Sequence, residues 1–96
     1  MDIYLGKLLN GMTIIGYLDI NNNKLNKCVT VQMKQSQQNI NIALLPVFFG
    51  LSSELVDISL DKILCTIPAD TEIKAEYLKA TSGIEIVSDL SQIRTH

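Results

Sequence analysis

Apolar and polar residues alternate with a period of two along much of the N-terminal half of the chain. One run covers residues 12–20, and two shorter runs cover residues 28–34 and 40–44, with the polar sequence QSQQN between them. Such an alternation predicts β-strands whose side chains point to opposite faces, and the polar break predicts a hairpin loop. Pro46 ends the pattern, because proline cannot donate to a strand ladder.

The apolar phase changes by one residue in the next alternating segment. Apolar residues stand at even positions from residue 56 to residue 60, and at odd positions from residue 63 to residue 67. A change of phase by one residue turns the side chains of a continuous strand to its opposite face. We therefore expect a sharp turn or bulge between Leu60 and Lys62, joining two short strands.

The sequence after residue 68 changes to a helical period. Ile73, Tyr77 and Leu78 have helical spacing, and Gly83 stands where a helix would stop. We predict a helix over residues 72–82, anchored by Tyr77 and Leu78 on the sheet or on a neighbouring subunit.

The remaining signals complete a mostly β fold. The sequence IEIVSDL, residues 84–90, predicts a last short strand, and residues 94–96 are expected to fray. Five or more short strands with one helix favour a small, strongly bent antiparallel barrel. A length of 96 residues leaves room for one hydrophobic core, so we predict a single domain.

The composition describes a globular chain with little net charge. Hydrophobic residues make up 47% of the sequence, which is consistent with burial of apolar surface between subunits. The formal net charge of −2 gives no overall attraction for nucleic acid. No apolar run reaches the roughly 18 residues of a membrane helix, and no N-terminal signal is evident. We expect a cytoplasmic protein, in a cell or in a phage-infected host.

Residues with reactive chemistry are sparse. Cys28 and Cys65 match no disulfide scaffold or metal motif, so both are expected to be reduced and mostly packed. The single histidine is His96, and there is no GxSxG, HExxH or phosphate-loop motif. We therefore expect a non-enzymatic protein with no cofactor and no bound metal.

A short series of residues carries a family resemblance. An Asn10-Gly11 turn is followed by Gly16 within a strand, by Leu18, and by an Asn-rich loop that ends in Leu25 and Asn26. This series resembles the first signature of the Sm-like family, which comprises Sm, LSm and Hfq proteins. The glycine permits the sharp strand bend that closes a small barrel, and asparagine tolerates left-handed backbone.

The second signature of that family joins two short strands through a tight turn, as the phase change at residues 60–62 does. The sequence ILCTIP, residues 63–68, resembles the last strand of Hfq. The resemblance covers residues 5–68 and implies a five-stranded Sm-like (SH3-like) barrel core, with residues 69–96 as C-terminal helix and tail. The longer excursion at residues 36–55 marks a divergent member, similar to phage-encoded Sm-like proteins.

The resemblance also implies an assembly. Sm-like barrels pair the open edge of one subunit with that of the next until a ring closes, which implies a homo-oligomeric ring of about five to seven subunits. A monomer in which the C-terminal helix blocks one edge is the alternative. The candidate interface residues lie on the two edge strands: Val56, Ile58, Ile63, Cys65 and Ile67.

RNA-binding members of the family take a base in the loop after the glycine-containing strand. Asn26 stands at the base-binding position, Asn22 at the usual aspartate and Lys24 at the base-stacking residue, so these three are the candidate RNA-binding residues. A solvated turn is the plain alternative. Ser59-Leu60 replaces the Arg-Gly of Sm proteins and Leu60-Asp61 the Lys-His of Hfq, so the main cation of the pocket is missing.

These residues lead to two functional hypotheses. The first is a non-catalytic ring that binds single-stranded RNA at its pore face. The second is a structural or assembly protein of phage type, which makes protein–protein contacts without RNA. Phe48-Phe49 is expected to pack in the core, and the alternative is a docking surface for another protein.

Overall fold

The computed structural model describes residues 2–36 and 39–93, which form an antiparallel sheet followed by a helix. The elements in chain order are β1 (Ile3–Leu8), β2 (Thr13–Asp19), β3 (Lys24–Ser36), β4 (Asn39–Pro46), β5 (Val56–Ser59), β6 (Ile63–Pro68) and α1 (Thr71–Ile93). A 3-10 turn, Leu60–Lys62, joins β5 to β6, so the turn predicted from the phase change is confirmed.

The strand order is β4-β3-β2-β1-β6, with β5 also paired to β3. The long strand β3 pairs with β4 from Val29 to Ser36 and with β5 from Lys24 to Cys28. In the described part of the chain β5 and β6 do not pair with each other, so the sheet stays open. The mostly β antiparallel architecture with a C-terminal helix is therefore as predicted, whereas closure into a barrel is not observed within one protomer.

Both faces of the sheet bury apolar side chains, as the alternation predicts. One face carries the helix-side cluster, formed by the buried residues Ile3, Ile15, Val29, Ala69 and Tyr77. The other face carries the opposite-face cluster, formed by the buried residues Ile14, Leu25 and Cys28. Successive residues of β2 thus enter different clusters, because strand side chains alternate between faces.

Gly16 lies where β3 crowds against β2. A Cβ atom at this position would stand 2.6 Å from the Asn26 carbonyl oxygen and 3.1 Å from Cys28 Sγ. The register between the two strands shifts at this place, between Ile15 and Tyr17. Gly16 is therefore required by the close approach of the Asn26 backbone, which fits the role in bending that the sequence predicts.

The bulge that faces Gly16 is centred on Lys27, which has a φ of 52°. The Lys27 N–H donates to Asp57 Oδ1 on β5 at 3.0 Å. The Tyr77 hydroxyl of α1 donates to the Lys27 carbonyl at 2.6 Å, and its ring meets that of Tyr17 edge-on with centroids 5.4 Å apart. Tyr77 thus anchors the helix on the sheet, as predicted.

The predicted end of the helix at Gly83 and the predicted strand over residues 84–90 are wrong, because α1 continues to Ile93. A glycine inside a helix costs only about 1 kcal/mol relative to alanine. Ile86, Leu90 and Ile93 repeat at intervals of four and three residues, which is the helical period. This period outweighs the short alternation on which the strand prediction rested.

Several apolar side chains that were expected to be packed are exposed instead. Phe48 and Phe49 are 51% and 67% exposed, so core packing of this pair is wrong within one protomer. Leu78 is 39% exposed, so it does not anchor the helix on the sheet as Tyr77 does, and its contact with a neighbouring subunit stays a prediction. Cys65 is exposed on β6, whereas Cys28 is buried. The local sequence pattern gives no information on whether another element covers a residue.

Two expectations extend beyond the described residues. The antiparallel pairing of β3 with β4 continues to Ser36 and Asn39, which supports the predicted hairpin. The tip of its loop, residues 37–38, lies outside the described residues, as does the end expected to fray, residues 94–96.

We expect Gly16→Ala to lower the free energy of unfolding by about 2–3 kcal/mol, because the added methyl group overlaps the Asn26 carbonyl oxygen. Urea unfolding at fixed protein concentration, followed by circular dichroism, measures this loss. Gly11→Ala is the matched control: Gly11 has a φ of +88° but no atom within 4 Å of the added Cβ, so the cost is backbone strain of about 1 kcal/mol. Equal losses in the two variants would contradict the prediction.

Candidate nucleic-acid interface and assembly edges

The Asn-rich loop between β2 and β3 is organised around the carboxylate of Asp19. The Asn22 backbone N–H donates to Asp19 Oδ1 at 3.2 Å, and Asn22 Nδ2 donates to Asp19 Oδ2 at 2.9 Å. Asn26 Nδ2 also donates to Asp19 Oδ2, at 3.2 Å. The structure therefore brings Asn22 and Asn26 together, with their amide donors turned to Asp19. Asn23 adopts a left-handed backbone with a φ of 57°, as expected for a loop of this composition.

The side chain of Asn26 is only partly satisfied by this network. Its Nδ2 group donates to Asp19, but Asn26 Oδ1 is buried and has no hydrogen-bond partner. An unpaired acceptor away from water costs free energy until a donor reaches it. Among the three candidate RNA-binding residues, Asn26 is therefore the one with a buried polar atom that lacks a hydrogen-bond partner.

The charges around the loop do not form a basic patch. Lys24 Nζ lies 3.3 Å from Asp57 Oδ2, and both side chains are partly exposed. Asn23 Nδ2 donates to Asp61 Oδ1 at 3.2 Å, which places the Asp61 carboxylate beside the loop. Three carboxylates therefore surround a loop whose cationic candidate, Lys24, is already paired.

Hydrogen bonds that the loop donates to Asp19 lower its pKa. The side-chain amide of Asn22 lowers the pKa of Asp19 most, followed by the side-chain amide of Asn26, because both stabilise the carboxylate form. Asp19 was not among the residues chosen from the sequence. An aspartate at a strand end, three residues before an asparagine, is a signal that could have identified it, since such carboxylates cap the following turn.

Three strands of the described sheet have an unpaired edge, namely β4, β5 and β6. Within residues 2–36 and 39–93, β5 pairs only with β3, and β6 pairs only with β1. Leu64 and Ile67 on β6 are 62% and 57% exposed, and Cys65 between them is exposed as well. The outer edge of β6 thus combines unpaired backbone with apolar side chains, a combination that soluble proteins usually cover.

The five predicted interface residues fall into two groups. Cys65 and Ile67 are exposed, whereas Ile58 and Ile63 pack against the opposite-face cluster and Val56 is partly buried. The side chains of Ile58 and Ile63 are therefore directed toward this protomer's own core. Their backbones still form parts of the β5 and β6 edges, where pairing uses the main chain.

Other chemistry is scarce in the described part of the chain. Burial raises the pKa of Cys28 to about 12, so this thiol stays protonated and unreactive near neutral pH. No group of three or more potential metal ligands occurs among the described residues. None of the described helices has the length and apolar character needed to cross a membrane.

We expect the side-chain amide NMR signals of Asn22 and Asn26 to titrate together, with a midpoint below 3.8, the ordinary pKa of aspartate. Because the folded pKa of Asp19 is lowered, its stabilising contribution is complete above that value and is lost as the pH falls through the folded pKa. Asp19→Asn should abolish the joint titration, and Asp70→Asn should leave it unchanged. Independent midpoints for the two amides would contradict the shared carboxylate.

The chain matches no protein-family model, and its sequence matches no curated protein. The resemblance to the Sm-like family therefore rests on the residues themselves: the Asn10-Gly11 turn, Gly16 at the bulge, Asn26 in the loop and the tight turn between β5 and β6.

Proposed function

We propose that this protein is a non-catalytic Sm-like β-barrel protein that joins copies of itself edge to edge into a ring of about five to seven subunits. The observation that carries the proposal is the outer edge of β6, which is unpaired in the described chain and lined by exposed apolar side chains. The strand β5, which pairs with β3, offers the complementary open edge.

The geometry of the two edges supports a head-to-tail contact. Antiparallel pairing of β5 with β6 of the next copy would satisfy backbone groups on both edges and remove Leu64 and Ile67 from water. Two different surfaces meet in such a contact, so it repeats from copy to copy until the rotation closes a ring. Gly16 at the bulge and the turn between β5 and β6 are the features that support an Sm-like barrel.

We expect Leu64→Lys to convert the assembly into protomers of 10.7 kDa, because a lysine on a strand edge opposes edge-to-edge pairing. Size-exclusion chromatography with light scattering measures the mass. Leu9→Lys is the control: Leu9 is 81% exposed in the turn after β1 and should leave the mass of the assembly unchanged. A wild-type mass of one protomer at micromolar concentration would contradict the ring.

A second candidate function is the binding of single-stranded RNA by the Asn-rich loop. The specific observation in its favour is the buried, unpartnered Oδ1 atom of Asn26. An unstacked base presents N–H donors on its Watson–Crick edge, and one of them can satisfy this acceptor. Lys24 lies two residues away and supplies the cation for a phosphate, in competition with Asp57.

The affinity for RNA at this loop should fall when a cation is removed and rise when a carboxylate is removed. We expect Asn26→Ala to weaken the binding of U-rich or A-rich RNA about tenfold, Lys24→Ala to weaken it, and Asp61→Asn to strengthen it. Fluorescence anisotropy at two salt concentrations measures these affinities, which should fall as salt rises. Lys74→Ala, a change of the same type on α1, is the control. No binding at low salt would exclude this candidate.

A structural or assembly role without RNA is favoured by a different observation. Phe48, Phe49 and Leu51 are 51%, 67% and 88% exposed, and Phe49 and Leu51 line the same surface hollow. Large apolar side chains exposed close together are typical of protein–protein contacts. A ring that forms but binds no RNA at low salt would support this role.

A further inference from the structure

Asn26 and Lys27 share a peptide group that is held by two different strands. Its N–H, which belongs to Lys27, donates to Asp57 Oδ1 on β5 at 3.0 Å. Its carbonyl, which belongs to Asn26, lies so close to β2 that a Cβ atom at Gly16 would stand 2.6 Å from the oxygen. This peptide group therefore cannot turn without losing the hydrogen bond to β5 or pressing against β2.

The next carbonyl of the bulge is held by the helix. The Tyr77 hydroxyl donates to the Lys27 carbonyl oxygen at 2.6 Å, across 50 positions of the chain. Lys27 has a φ of 52°, a left-handed conformation that a residue with a Cβ atom keeps only where its surroundings hold it. Tyr77 is thus one of the contacts that hold unusual backbone immediately after Asn26.

The Tyr77 side chain is itself fixed in position. It is 0% exposed within the helix-side cluster, and its ring meets that of Tyr17 edge-on with centroids 5.4 Å apart. Tyr17 stands directly opposite Asn26 in the pairing of β2 with β3, and directly paired residues share a face of the sheet. Tyr77 therefore adjoins the position of Asn26 in two ways, through the Lys27 carbonyl and through the ring of Tyr17.

The side chain of Asn26 depends on the bulge for its orientation. Asn26 Nδ2 donates to Asp19 Oδ2 at 3.2 Å, and a rotation of the Asn26 backbone would move this donor away from the carboxylate. Asn22 binds the same carboxylate through its own backbone N–H as well as its side chain, and it lies in the loop before β3. A change at the bulge should therefore disturb Asn26 and spare Asn22.

We infer that Tyr77 is a positioning residue for Asn26: its hydroxyl holds the Lys27 carbonyl and so fixes the orientation in which the Asn26 side chain meets a base. The C-terminal helix thereby takes part in the site at the Asn-rich loop. This inference rests on the proposed binding of RNA and adds to it a residue outside the loop. The hold of Tyr77 on Asn26 is measurable without RNA.

Tyr77→Phe tests this hold, because it removes the hydroxyl and keeps the ring. The side-chain amide NMR signals of Asn22 and Asn26 are followed while Asp19 titrates. In the variant the pH-dependent shift of the Asn26 amide should fall to less than half of its wild-type size, whereas that of Asn22 should be kept. Lys24, the cation that also acts on the pKa of Asp19, is the same in both chains.

Tyr4→Phe is the matched control, since Tyr4 packs against the opposite-face cluster on the other side of the sheet. It should leave both amide signals unchanged. An Asn26 signal that keeps its full shift in Tyr77→Phe would overturn the inference. Equal losses at Asn22 and Asn26 would also overturn it, because they would indicate a general loosening of the fold.

The affinity for RNA tests the effect of this hold on binding. Tyr77→Phe should weaken the binding of U-rich or A-rich RNA at low salt about fivefold, the equivalent of one hydrogen bond. In a chain that already carries Asn26→Ala the same change should have no further effect, because Tyr77 acts through Asn26. Equal weakening in the two backgrounds would show that Tyr77 acts independently of Asn26 and would overturn the inference.

The outcomes separate this inference from the proposed function. A wild-type chain that binds no RNA at low salt removes RNA binding as a function, whereas the responses of the Asn22 and Asn26 amides still decide whether Tyr77 holds Asn26. RNA binding that Tyr77→Phe leaves unchanged, with both amide signals also unchanged, overturns the inference and leaves the binding of RNA in place.

Discussion

The fold depends on the place where β3 leaves its register with β2, at Asn26 and Lys27. There the Asn26 carbonyl oxygen comes so close to Gly16 that no side chain fits, and Lys27 takes a left-handed backbone. The Asp57 carboxylate accepts the Lys27 N–H, and the Tyr77 hydroxyl donates to the Lys27 carbonyl. Unusual backbone persists only where its surroundings fix it. One bulge therefore joins β5, the central strands and the helix into one unit.

The same bulge explains how one strand serves two partners. The strand β3 pairs with β5 from Lys24 to Cys28 and with β4 from Val29 onward, so the chain must leave the sheet after Pro46 and return at Val56. The residues between them include the turn that carries Phe48, Phe49 and Leu51, which stays outside the sheet. The exposed aromatic side chains and the open β5 edge are thus two consequences of one change in direction of β3.

The Asn-rich loop shows how local charge limits a binding site. Asp19 orders the loop by accepting from Asn22 and Asn26, which presents Asn26 in a fixed position at the cost of using its donor group. Asp61 adds a second carboxylate beside Asn23. Because phosphate binding depends mainly on cations, the loop is better suited to contact a base than to hold a nucleic-acid backbone. The apolar edges are accordingly the stronger functional feature.

The sequence by itself determined the elements whose signal is local: the alternating strands, the turn at Leu60–Lys62 and the need for glycine at position 16. These follow from side-chain period and backbone freedom, which neighbouring residues set. Only the tertiary structure decided the continuation of α1 to Ile93, the exposure of Phe48 and the pairing of Lys27 with Asp57, 30 residues away. Burial and hydrogen bonding between distant residues depend on which elements meet in space, and a local pattern carries no information on that.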